Sequence, residues 1–149
     1  MDNKSLNALA ITATLHCLTG CAIGEVMGVT IGSLLSWTNM ATAILGILLA
    51  FVFGYGLTMR PLIKHGMQTK SATKLALQSD TFSIATMEIV DTLIILTIPG
   101  AIAAGPTTVL FWGSLTFALL VAFIFAVPVN RYLIARGKGH AVIHEHHNH

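Results

Sequence analysis

Four apolar runs dominate this chain, at about residues 9–35, 41–58, 82–104 and 107–129. Each is close to the ~20 residues that cross the hydrocarbon core of a bilayer as a helix. No alternation of the β-barrel kind is present, and a helix satisfies all of its own backbone groups in lipid. Little chain is left for a soluble domain, in keeping with 54% hydrophobic and only 9% charged residues. The expected fold is therefore all-α: a polytopic membrane protein of four transmembrane helices packed as one helical bundle. The first run is too long for a signal-peptide core and ends in no small-residue cleavage site, so it reads as a retained anchor.

Lysine and arginine set the expected orientation, because they are retained on the cytoplasmic side. Lys4 precedes the first run, Arg60, Lys64, Lys70 and Lys74 lie between the second and third, and Arg131, Arg136 and Lys138 follow the fourth. The connections at 36–40 and around Gly105 carry no charge. Both termini are expected in the cytoplasm, with Trp37 and Trp112 at the outer interface and Tyr55 and Tyr132 towards the inner one. The net charge of +2 is then a topology signal, and no nucleic-acid partner is implied. The loop from Pro61 to Asp80 contains a stretch, Lys70 to Leu77, expected to lie on the membrane surface as a short helix. Ser79 or Asp80 is the expected N-cap of the third span. Pro99-Gly100 and Pro128 are expected to bend the third and fourth.

Inside the first run stands HCLTGCAIGE, which places His16, Cys17, Cys21 and Glu25 at membrane depth. Such groups cost several kcal/mol unless they face protein, ligand or water, so they mark function by default. Gly20, Gly24, Gly28 and Gly32 recur every four residues on the same helix and make a stripe on which a second backbone can lie closely. A shorter stripe of Gly46, Ala50 and Gly54 on the second run fits it, giving either hairpin packing or a homo-oligomeric interface. Cys17, Cys21 and Glu25 climb the neighbouring row, beside the seam.

The third run supplies Glu88 and Asp91, three residues apart on one face. Counting ~1.5 Å per residue from the ends of the runs sets His16 and Glu88 at roughly 10 Å, and Cys21 and Asp91 at roughly 15 to 18 Å. Glu88 could alternatively pair with Arg60 or Arg131 near the inner surface. Thiolates and imidazoles are ligands for soft ions, and carboxylates compensate charge or accept the displaced protons. The expected metal donors are His16, Cys17, Cys21, Glu88 and Asp91, joined by the tail histidines His140, His144, His146 and His147 as an exchangeable collecting segment. Cys17 and Cys21, one helical turn apart, are not expected to form a disulfide.

Two stretches carry a resemblance. His16, Cys17, Gly20, Cys21, Gly24 and Glu25 at the start, and Asn130, Arg131, Arg136, Gly137, Lys138, Gly139, His140 and His144 at the end, resemble a bacterial family of small four-helix membrane proteins catalogued as a domain of unknown function. The resemblance covers nearly the whole chain. It implies the four-span fold and a multi-pass place in the bacterial inner membrane, and it implies no activity.

No phosphate loop, dinucleotide fingerprint, HExxH or serine elbow occurs, so no enzyme is expected. The leading expectation is an oligomeric membrane protein that binds and transports a soft transition-metal ion, copper first, between the first and third helices. The alternatives are a proton or small-cation pathway through Glu25, Glu88 and Asp91, and a non-transporting scaffold subunit.

Overall fold

The computed structural model describes residues 2–136. Four long helices follow one another: α1 (Asn3–Leu34), α2 (Asn39–Lys64), α3 (Thr69–Thr97) and α4 (Val109–Ala135), with a 3-10 turn at Ala101–Ala103 before α4. No strand occurs among the described residues. α1, α2 and α4 are each long and apolar enough to cross a membrane. α3 is of similar length and is diluted by its acids, which lie on its buried side; Phe82, Ile89, Leu93 and Leu96 form its exposed face. The tail histidines His140, His144, His146 and His147 lie outside the described residues.

Local chemistry explains where the helices start and stop. Asp2, Thr38 and Thr108 each turn a side-chain oxygen to a first-turn amide of α1, α2 and α4, at 2.9, 3.3 and 3.2 Å. Gly66, at φ +92°, ends α2 in the left-handed conformation that glycine adopts without a Cβ penalty. Gly100, at φ +79°, makes the turn after Pro99.

Several expectations are corrected here. α3 begins at Thr69, so the stretch from Lys70 to Leu77 is its first two turns and not a separate surface helix. Ser79 and Asp80 are buried in mid-helix and cap nothing; Gln68 holds the cap position without a side-chain bond. The loop read as Pro61 to Asp80 shrinks to the four residues between Lys64 and Thr69. Hydropathy missed these turns because their lysines and serines dilute the average while their alanines, Ala72 and Ala76, pack inward at no exposure. Pro99 terminates α3 rather than bending it, as a residue without an N–H does near a helix end.

α1 and α2 make the closest helix pair in the bundle. A Cβ placed on Gly20 would stand 2.7 Å from the Gly54 Cα, and one on Gly28 would stand 2.5 Å from that of Gly46. Gly24 likewise meets the Ala50 backbone, and Gly32 meets Thr42. The stripe is therefore occupied within the chain, and hairpin packing is the use it serves. α3 and α4 form the second hairpin, and α4 also lies against α1. Cys17 and Cys21 of α1, Ala50 of α2, Ile84 and Met87 of α3, and Ala122 and Ala126 of α4 meet in one core.

At one end of the bundle Arg131 donates to Asn7 and Asn3, at 2.6 and 3.2 Å, which ties the start of α1 to the end of α4. The start of α1 and the end of α4 lie there with the α2–α3 connection, and the α1–α2 and α3–α4 connections lie at the other end. Arg131 thus spends its guanidinium on asparagines at the surface and not on Glu88.

Candidate functional site

The seam between α1 and α2 fixes the rotation of α1 and turns the row beside the glycines inward. Cys17 and Cys21 are fully buried free thiols, and Glu25, one turn further on, is partly buried. α3 answers with a polar face of its own: Ser79, Asp80, Ser83, Glu88 and Asp91 are each no more than 5% exposed. The two helices are matched in length from their true starts. Glu25 and Asp91 each lie 22 residues beyond the first residue of their helix (Asn3 and Thr69), and Cys17 and Ser83 each lie 14 beyond it.

The contacts follow that register. The Cys17 thiol lies against Ser83 and within the field of Asp80. Cys21 lies against Glu88, and Glu25 faces Asp91. The expected levels, His16 with Glu88 and Cys21 with Asp91, are therefore displaced by about one turn. The cause is the early start of α3, which slides its acids along the axis relative to where the apolar run placed them. His16 is half-buried, on the row beside the thiols.

At the end nearer the termini, Asn130 of α4 donates from one amide nitrogen to Thr14 Oγ1 at 2.8 Å and to Ser83 Oγ at 2.9 Å. All three residues are buried, so the layer locks α1, α3 and α4 together. Ser79 donates to Asp80 Oδ1 at 2.8 Å beside it. Sequence reasoning assigned no role to Thr14, Ser83 or Asp80 in a polar layer. The available signal was their helical spacing, since Asp80, Ser83, Met87 and Asp91 recur on one face.

Above this layer the packing opens. A cavity of about 90 Å³ runs from Glu25, Glu88 and Asp91 towards the connection end, where Asn39, Ala101 and Ala104 line it. Its remaining wall is largely apolar, with Thr42, Thr92 and Ser114 as further polar groups. Glu25 Oε1, Glu88 Oε1 and Asp91 Oδ1 are buried without a hydrogen-bond partner. Buried charge without a partner is expensive, so each of these oxygens is suited to a proton, a cation or water.

The expected metal donors that fall within the described residues do not converge. The thiols and carboxyls are strung along the bundle axis, and among the described residues no three His, Cys, Asp or Glu side chains form a group suited to holding a metal ion. The arrangement is a file of neighbouring thiols and carboxyls, with Asp80 and Ser83 beside Cys17, Glu88 beside Cys21 and Asp91 beside Glu25.

Neither a curated protein nor a solved structure matches the chain. Residues 7–139 match a family described as a domain of unknown function, DUF4396, and with that span covering nearly its whole length the chain belongs to this family.

Proposed function

We propose that the protein is a membrane pathway for protons or small cations, in which Glu25, Glu88 and Asp91 hold and exchange the moving charge. One observation carries the reading: three carboxyls from two helices line a single small cavity, each with a buried oxygen that no protein donor satisfies. A carboxyl in that setting exchanges readily between a protonated form and one paired with a cation. Facing carboxyls such as Glu25 and Asp91 can share one proton between them. The cavity serves one side of the membrane. Towards the other, the file continues through Cys21, Cys17 and Ser83 to Asp80. A thiol is a weak donor, so conduction past Cys17 and Cys21 calls for water entry or a small movement of α3.

The soft-ion reading rests on the two buried thiols, one turn apart, with Glu88 beside Cys21 as charge compensation. Both readings are separated by one set of measurements. In proteoliposomes without added metal, a proton gradient should dissipate through the wild-type protein, and Glu88→Gln or Asp91→Asn should slow this at least tenfold. Replacing both cysteines by serine should leave more than half of the flux. Absence of flux, together with stoichiometric copper(I) binding that the double serine variant loses, would replace this reading by metal transport.

A further inference from the structure

Glu88 borders two spaces. From inside the bundle it lines the 90 Å³ cavity, and from outside it lines a second groove of about 390 Å³ between α2 and α3. Ile47 and Thr92 also line both, so the partition between cavity and lipid is one layer of side chains thick. The outer groove is otherwise walled by Phe51, Ala85, Ile89 and Leu93. Ile89 and Leu93 are 61% and 58% exposed, which places the groove on the lipid-facing surface. Glu88 itself is only 5% exposed, and one of its carboxyl oxygens is buried without a hydrogen-bond partner.

The charges around Glu88 select the occupant. Its titratable neighbours are Cys21 and Glu25 on α1 and Asp91 on α3, and α2 and α4 add none to the lining of either space. All are acids, so none of them can pair with Glu88 once it has given up its proton, and the partner of the carboxylate must be a cation. An inorganic ion cannot approach through an apolar groove, because shedding its water there costs far more than the groove returns. A molecule with an apolar body and a basic nitrogen can, and the nitrogen forms a charge-assisted bond with the carboxylate on arrival.

We propose that the α2–α3 groove is a port from the bilayer through which a lipophilic primary amine reaches Glu88. The amine enters neutral and takes the proton of the Glu88 carboxyl. The N–H bond forms as the O–H bond breaks, and an alkylammonium remains paired with the carboxylate while its chain lies in the groove. The inference rests on the reading of Glu88 as a proton-holding group and extends it to a substrate class.

Hexylamine is the probe, titrated calorimetrically into the full-length protein in nanodiscs. Saturable 1:1 binding is expected, weakened at least tenfold by Glu88→Gln and retained in large part by Glu88→Asp. Ala85→Trp fills the groove without touching the cavity, so it should weaken hexylamine binding at least tenfold while proton flux in amine-free vesicles stays within twofold of wild type. Because that variant could misfold, a second measurement uses the wild-type protein alone. Membrane-dissolved dicyclohexylcarbodiimide should modify Glu88, as read by mass spectrometry, and hexylamine should protect it.

Equal binding to wild type and Glu88→Gln, or no protection of Glu88, overturns the port. Flux without hexylamine binding overturns this inference and leaves conduction standing. Binding without flux keeps the port and removes conduction.

Discussion

A polar side chain in lipid is stable only with a partner inside the protein, and the residues here divide by how that partner is supplied. Asn130 has its partners in Thr14 and Ser83, whereas Glu25, Glu88 and Asp91 each keep an unbonded oxygen at the cavity. The first kind should act on stability and the second on function. Asn130→Ala removes two interhelical bonds, and at the modest strength of such bonds in membranes it should cost about 1 kcal/mol. Denaturation in mixed micelles checks this, and a change within a few tenths would show that the layer does not clamp the bundle. The polarity of these residues was readable at once. Their partners were not: Ser79 and Asp80 had the look of helix caps because their side-chain oxygens can take the first amides of a span, and only burial distinguishes a cap from a core polar group.

At the level of elements, α1 owes its rotation to glycines. With the Ala50 backbone against Gly24, a branched side chain there must push α2 away, and overpacking of that kind costs about 1 to 3 kcal/mol. Gly24→Leu should therefore lower the melting temperature in detergent and also displace Cys21 and Glu25 from α3. Gly56→Ala is the matched control, since its Cβ would meet nothing within 4 Å, and it should leave stability unchanged or slightly raised. A Gly24→Leu protein as stable as wild type would mean that the seam does not hold the hairpin. The four-residue repeat announced a close backbone contact and left open whether α2 or a second copy supplied the mate; the backbones of Ala50 and Gly54 against it decide for α2. α3 was harder to delimit, because its first turns are amphipathic and hydropathy responds only to the average.

Across the described residues, the four helices alternate in direction, so the α1–α2 and α3–α4 connections share one end, while the α2–α3 connection, the start of α1 and the end of α4 share the other. With both native cysteines buried, single introduced cysteines report sidedness cleanly. Ser36→Cys and Thr107→Cys should react with an impermeant maleimide in intact cells, and His65→Cys only after permeabilisation, if the lysine- and arginine-bearing end faces the cytoplasm. Reaction of all three from one side would dismantle the bundle topology on which the cavity depends. The same arrangement leaves a cavity that opens towards the connection end and a groove between α2 and α3 on the outer surface, with Glu88 bordering both.

The sequence by itself determined that the chain makes four long helices, three of them apolar enough to cross a membrane, that α1 packs through glycine, and that thiols and acids are carried into the bundle. Those properties depend on transfer free energy and on side-chain size, which are read residue by residue. Only the tertiary structure decided which acid meets which thiol, that the donors run in file rather than converge, and that Glu88 borders both cavity and lipid. Sliding one helix along another by a turn leaves its hydropathy unchanged while exchanging every partner, so that register is set by where the helices begin and by how closely their backbones meet.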